Sequence, residues 1–225
     1  MVAPPQSLEL HTESLPSRTL KSLEFLSKEP WLSESGWYLA GGTALALQVG
    51  HRQSVDLDFF TEKKEFEDIE VLSHFADNKD WKSDVVKKST IYGELFGAKI
   101  SFIAYPFFVP KQTFLMYGSI RIIRPIDIAV MKVIAISQRG RKRDFFDLYW
   151  TAQHIEPIVE TVKRLKEQYP TIAHNYHHIL KSLVYFDDAE PDPAPEIYFQ
   201  ATWEEVKTFF RRKVPWATEQ LMDLK

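Results

Sequence analysis

The sequence contains no cysteine. That excludes disulfides, thiolate zinc sites and a thiol nucleophile, and it fits a reducing compartment. An excess of one charge sign is also lacking: 28 Lys and Arg stand against 31 Asp and Glu, a formal net charge of −3 with a pI near 6.2. Such a chain has no bulk positive field to gather nucleic acid indiscriminately, so any such contact must come from a local patch. No apolar run approaches the ~20 residues a membrane helix needs. The opening residues, MVAPPQSLELHTESLP, lack the basic-then-apolar order of a secretory signal. Together these absences imply a soluble, cytoplasmic protein without a membrane partner. What is present is ordinary globular material: 225 residues, 44% hydrophobic and 14% aromatic, enough for one substantial domain or two small ones.

Residues 1–16 carry Pro4, Pro5 and Pro16 with little periodicity and read as an extended arm. Ser17 is placed to cap a helix through about Lys28, with Leu20, Leu23, Phe25 and Leu26 as its apolar stripe and Pro30 as its stop. A short strand over Trp37–Ala40, a helix over Thr43–Val49 and a strand over Val55–Phe60 follow. Phe66, Ile69, Leu72 and Phe75 recur at helical spacing within residues 65–77. Strands are expected at Trp81–Ile91 and Ala98–Tyr105, joined through a Gly93–Gly97 turn, with a further strand or pair in Gly118–Ile123. From Pro125 the character changes. Asp127 is a plausible N-cap for a helix that Gly140 ends, and a second helix covers 142–153. Two more are expected near 155–168 and 172–185, then a Pro-rich acidic loop at 187–197 and an amphipathic helix at 202–213. The order predicts a mixed α/β half, residues 1–124, and an all-helical half, residues 125–225.

The chemistry concentrates in WYLAGGTALALQVGHRQSVDLDFF, residues 37–60. Side chains alternate faces along a strand, so Val55, Leu57 and Phe59 share one face while Asp56 and Asp58 share the other. Two carboxylates roughly 6.5–7 Å apart can converge on a hard cation, and Mg²⁺ typically takes one or two carboxylates with waters and phosphate oxygens. Like charges placed side by side cost stability unless something cationic lies between them. Gly41-Gly42-Thr43 sits between strand and helix, where backbone N–H groups and the helix N-terminus favour an anion and the Thr43 hydroxyl can donate to a phosphate. Either element alone is ordinary, a turn or a solvated strand edge. Phosphate cradle and acid pair in this order are more specific than either.

The pattern Gly42-Thr43, twelve residues, Asp56-Leu57-Asp58 resembles the G-[ST]…D-x-D core of the polymerase-beta-type nucleotidyltransferase superfamily. GGTALAL…GHRQSVDLDFF, followed downstream by KVIAISQRGRKRDFFDLY, resembles the AbiEii/AbiGii toxin family within it. The resemblance implies an α+β fold: a small, twisted mixed sheet with flanking helices, and an all-helical C-terminal domain closing the cleft. It implies Asp56 and Asp58 as metal-binding catalytic acids and Gly41, Gly42 and Thr43 as the triphosphate turn. Lys132 and Arg139 match its K-x-x-A-x-x-x-R helix, and Asp144 with Asp147 its last acidic motif. The implied reaction is metal-dependent transfer of NMP from a nucleoside triphosphate to an acceptor hydroxyl, on RNA such as a tRNA end or on protein. Mg²⁺ or Mn²⁺ would be the cofactor, and a separately encoded antitoxin the partner.

The residues themselves agree. Lys132 and Arg139 stand seven apart, two helical turns, and so share a face suited to a polyanion, although a snorkelling Lys and an Arg at a helix C-terminus would look the same. Asp144 and Asp147 lie at a helix start, where acids are favoured in any case. Arg139, Arg141, Lys142 and Arg143 make a compact basic loop, solvated or available to a triphosphate or RNA backbone. His51 and Arg52, between cradle and acids, suit phosphate or base contact or simply finish the turn. His174 and His178, at i and i+4, lack the glutamate and third ligand of a zinc site. Phe107, Phe108 and Phe114 read as core before they read as a stacking platform.

One feature departs from the family pattern. Many superfamily members carry a third carboxylate on the strand after the acid pair, and AKISFIAY offers Ser101 instead. Either Asp144 supplies the acid from the helical half, or a second metal is held only with substrate. An alternative follows: an NTP-binding regulatory protein without transfer activity. A phosphohydrolase using the same acids is a third reading.

Overall fold

The computed structural model describes residues 10–222; most of the expected N-terminal arm, residues 1–9, lies outside that range. After a 3₁₀ turn at Thr12–Ser14 the elements run α1 (Ser17–Leu26), α2 (Pro30–Glu34), β1 (Tyr38–Ala40), α3 (Gly41–Val49), β2 (Leu57–Thr61), α4 (Asp68–Ser73), β3 (Trp81–Lys87), β4 (Thr90–Leu95), β5 (Ala98–Ala104), β6 (Leu115–Tyr117) and β7 (Ile120–Ile122). Helices alone then follow: α5 (Pro125–Arg139), α6 (Lys142–His154), α7 (Ile158–Lys163), α8 (Leu165–Gln168), α9 (Tyr176–Ser182) and α10 (Trp203–Met222). The fold is α+β. Among the described residues the strands form one seven-stranded mixed sheet of order β3-β4-β5-β2-β1-β7-β6, with β2/β5 and β1/β7 parallel and the other neighbours antiparallel.

The alternation read from VDLDFF decides which face of the sheet does what. Leu57 and Phe59 are fully buried, and Phe59 and Phe102 stack at 5.2 Å beneath Trp31, Trp37 and Phe75. The opposite face carries Asp56, Asp58, Phe60, Ser101 and Ile103 and looks toward α5. Asp58 pairs in register with Ser101 and Phe60 with Ile103. Helix α3 packs on α5, and α5 on α6, so one apolar cluster runs from Leu23 to Phe210 and ties the helical half to the sheet.

Several boundaries differ from the sequence reading. Pro16 occupies the N-cap position, leaving Ser17 as the first helical residue, and Pro30 opens α2 at the position where a missing N–H costs nothing. The long strand expected over Trp81–Ile91 is two strands, turning at Lys88-Ser89. Gly93 lies inside β4, where a Cβ would come within 2.8 Å of the Trp81 ring and 2.6 Å of the Lys82 carbonyl. That glycine marks close packing rather than a turn. Helix α4 is shorter than expected and Ile69 is 73% exposed, because Val71 and Phe75 make the buried contacts. Arg124, not Asp127, is the N-cap of α5; the Asp127 carboxylate is buried and accepts the N–H groups of Lys111 and Gln112. The last helix continues through Pro215 on an exposed side, where water can serve the carbonyl left free.

Candidate active site

Two elements bring the cradle against the acids. Gly41 begins α3 with φ +71°, and a Cβ there would lie 3.0 Å from the Asp58 Oδ2. Gly42 covers Arg52 so closely that a Cβ would fall 2.1 Å from Nη2. Both glycines are demanded by neighbours, the first also by its left-handed backbone. The Thr43 hydroxyl donates to the Asp56 carbonyl and lies 2.8 Å from the Ser54 Oγ. A carbonyl only accepts, so Thr43 spends its one proton there and Ser54 donates to Thr43. In this arrangement the Thr43 proton fixes the entry to β2, and the backbone N–H groups of the turn are the donors that could meet an anion.

Beneath the cradle lies a buried charge network. Asp147 receives four N–H donors: His51 Nε2 (2.8 Å) and Arg52 Nε (2.6 Å) on Oδ1, Arg52 Nη2 (2.9 Å) and Lys132 Nζ (2.7 Å) on Oδ2. Burial alone would raise the Asp147 pKa, but Arg52 and Lys132 hold the carboxyl well below its ordinary range. Burial likewise disfavours a charged Lys132, yet Asp144 and Asp147 outweigh it and the ammonium titrates above ordinary lysine. Burial keeps the His51 imidazole below its ordinary value, so it is neutral and donates from Nε2. Asp144 gives Oδ1 to Lys132 at 2.5 Å, while Oδ2 has no hydrogen bond and faces Arg139 at 3.8 Å.

The cavity between sheet and α5 has a volume of ≈ 330 Å³. Lining it are Gly41, Gly42, Thr43, Arg52, Asp56, Asp58, Lys132, Arg139, Arg143 and Asp144. Asp147 does not line it. Of the basic loop, Arg143 reaches Asp56 at 3.3 Å, whereas Arg141 is held by Asp192 and Lys142 by the Glu190 and Asp192 carbonyls. Only Arg139 and Arg143 of that loop therefore face the cavity. His174 and His178 each spend Nε2 on a backbone carbonyl, of Tyr169 and Ser137.

Ser101 is where the third acid was sought, and it donates to the Asp58 Oδ1 at 2.7 Å. Asp144, which lines the same cavity, gives one oxygen to Lys132, and no group of three potential metal ligands occurs among the described residues. The residues nevertheless fit a divalent cation that arrives with phosphate. Four cations, Arg52, Lys132, Arg139 and Arg143, face four carboxylates, Asp56, Asp58, Asp144 and Asp147. This balance offers a polyanion no net attraction until the acid pair is neutralised. Asp56 and Asp58 could supply the one or two carboxylates that Mg²⁺ typically takes.

The chain matches the family model described as "Nucleotidyl transferase AbiEii toxin, Type IV TA system" over residues 32–102 and 102–223. It belongs to that family. The protein is a nucleotidyltransferase. A curated relative, an uncharacterised protein of Aquifex aeolicus, is 39% identical over 182 residues, covering 79% of this chain and 86% of its own. Among solved structures, a candidate nucleotidyltransferase from H. pylori aligns with a TM-score of 0.53 at 19% identity, over 93% of this chain and 99% of that one. The nucleotidyltransferase toxin MenT4 of Mycobacterium tuberculosis aligns with a TM-score of 0.53 at 13% identity, over 92% and 87%. At these identities the structures speak for the fold.

Sequence reasoning missed how fully this nucleotidyltransferase buries Arg52 and Lys132, and it missed Ser54 and the apolar end of the cavity. Only the H-R dipeptide preceding the acids hinted at the network. Gly42→Ala should drive Arg52 from a bidentate pairing it cannot easily leave, lowering stability by about 1–3 kcal/mol; denaturant unfolding measures this. Burial raises the Asp58 pKa despite the bond from Ser101, and the Asp56 charge adds to the rise. A carboxyl raised in the fold stabilises it only while protonated, and that stability is lost as pH rises through the folded value. Ionised Asp58 is therefore a burden on the metal-free protein at neutral pH. Asp58→Asn should raise the thermal midpoint at pH 7 by about 2–4 °C, or about 1 kcal/mol at this chain length, with the gain shrinking toward pH 4.

Proposed function

We propose that this nucleotidyltransferase moves a nucleoside monophosphate from an NTP to an acceptor hydroxyl on RNA, a tRNA end being one form, as the cytoplasmic toxin of a pair with a separately encoded antitoxin. The observation that carries this reading is the placement of Asp56 and Asp58 across one cavity from Lys132 and Arg139. Lys132 has three N–H donors and spends two on Asp144 and Asp147, leaving one for a phosphate oxygen. The exposed Arg139 guanidinium adds a planar fork, and the first N–H groups of α3 complete the phosphate contacts. Asp56 and Asp58 would hold the divalent cation, Mg²⁺ or Mn²⁺, which would supply charge neutralisation at the phosphates and at the acceptor hydroxyl. The acceptor oxygen then bonds to the α-phosphorus as the bond to the β-phosphate oxygen breaks. Pyrophosphate leaves and the hydroxyl proton passes to solvent. Catalysis is positioning and charge neutralisation, with the helices from α5 onward closing the cleft over the sheet.

A second cavity of ≈ 410 Å³ shares the acid pair and spreads over β4 and β5 past Tyr92, Lys99 and Ser101. It gives an acceptor strand a route to the acids from the side away from α3. The NTP-binding regulatory alternative rests on Ser101, which replaces an acid beside Asp58. The test uses the purified protein with each NTP labelled on the α-phosphate, Mg²⁺ and total RNA, beside γ-labelled controls. Label from the α-phosphate is expected in an RNA band. Bound nucleotide with no transfer to RNA or protein under any acceptor condition would establish the regulatory reading, and release of γ-phosphate alone a hydrolase.

A further inference from the structure

The cavity is polar at one end only. From Arg139 its wall on α5 passes through Ala135 to Met131 and Ile128, while the sheet side runs from Asp58 to Phe60 and along Ile103 and Tyr105. Tyr169 closes the end. Each step along a strand face takes the wall about 6.5–7 Å from the acid pair. Phe60 and Tyr105 pack edge to face at 5.7 Å, and Tyr105 meets Tyr169 at 6.1 Å and 82°. The Tyr105 and Tyr169 hydroxyls lie 3.3 Å apart, with either as donor. Phe60, Ile103, Tyr105 and Met131 are half-buried and face the space, whereas Tyr169 and Ile128 are sealed behind it. Among the described residues no charged side chain lines this end.

We propose that this apolar end is the nucleobase subsite, with Tyr105 as the residue the base packs on. The inference rests on the nucleotidyltransferase reading and deepens it. A nucleotide has the same polarity as the cavity: a polyanionic tail, and a flat, weakly hydrated ring at the other extreme. The Gly41-Gly42 turn, Lys132 and Arg139 fix the tail, and the reacting phosphate lies by Asp56 and Asp58, which leaves the aromatic end for the base. At ≈ 330 Å³ the space falls in the range of small-ligand sites. Base–aromatic stacking is worth about 1–3 kcal/mol per base. The hydroxyl of half-buried Tyr105, held by that of Tyr169, is the directional group available to the base edge.

Calorimetric titration with NTPs and with inorganic tripolyphosphate, in the presence of Mg²⁺, separates the two ends. Tyr105→Ala is expected to weaken NTP binding by about ten-fold, within the stacking range, while tripolyphosphate affinity is unchanged. Tyr105→Phe should keep most of the NTP affinity. Met131→Trp, which fills the same end from α5, should again weaken NTP and spare tripolyphosphate. Unaltered NTP affinity in both Tyr105→Ala and Met131→Trp would overturn the proposal, as would equal losses for NTP and tripolyphosphate, which mark a structural role. Wild-type protein that binds neither ligand would instead remove the nucleotidyltransferase reading beneath it.

Discussion

Asp147→Ala is expected to cost this protein about 3–5 kcal/mol, the usual penalty for stripping one partner from a buried ion pair. The reason is the company Asp147 keeps. Arg52, 4% exposed, and Lys132, 6% exposed, both depend on it, and His51 donates to it as well. Removing it leaves two cations in the interior, with Lys132 still paired to Asp144 and Arg52 without a carboxylate in direct contact among the described residues. Against a typical total of about 5–15 kcal/mol, such a loss is a large fraction of the fold's stability. Asp147→Asn should fare little better, because its amide N–H groups would face the donors of Arg52 or Lys132. Loss of the exposed Lys88–Glu65 pair should leave the unfolding curve unchanged. The contribution of Asp147 is fully present above the ordinary carboxylate range, about pH 4, and disappears only as pH falls through the depressed folded value. His51 acts in the same direction: held below its ordinary value, it contributes above about pH 6.5 and loses that contribution as acid protonates it. Acid should therefore unfold the protein through this network.

The second large effect is on catalysis. Asp56→Asn should lower the rate of nucleotidyl transfer by of order 10²–10³-fold, as when one preorganised electrostatic contact is lost from an active site. Asp56 is partly exposed and contacts Arg143 across the cleft at 3.3 Å. An amide at this place is nearly the same shape, keeps an acceptor for Arg143, and surrenders the charge that would hold a divalent cation. Stability should not suffer, since one of two adjacent like charges is gone. A residue lost from catalysis but not from folding is the opposite case to Asp147, and the two variants together separate the charge of the site from the charge of its foundation.

Much of this was legible in the sequence. The strand period placed Asp56 and Asp58 on one face and Phe59 in the core, and the Gly-Gly-Thr turn lay where a strand meets a helix. The helical spacing of Lys132 and Arg139 put both on the cavity side of α5. Two things were not legible. Periodicity shows which side of a helix is apolar but cannot tell which acid pairs with which base across 95 residues, so the sequence, in which Arg52 suits phosphate or base contact or finishes the turn, gave no sign that its guanidinium is bidentate on Asp147 while it lines the cavity. The apolar end of the cavity was also hidden, because Phe60, Ile103 and Tyr105 look in sequence like any other strand residues. Only the register of β2 with β5 shows that they continue the line of Asp58 and Ser101.

The central claim is that Asp56 and Asp58 are the reactive pole of a nucleotide cleft whose other wall is α5. The most direct measurement is the initial rate of α-phosphate label transfer to RNA by Asp56→Asn and wild type, at equal protein and saturating Mg²⁺. The thermal midpoint of the variant, at or above that of wild type, certifies that it is folded. A rate reduced by at least about 10²-fold is the predicted result. A folded variant that transfers within about ten-fold of wild type, a change of only about 1.4 kcal/mol in the barrier, would contradict it.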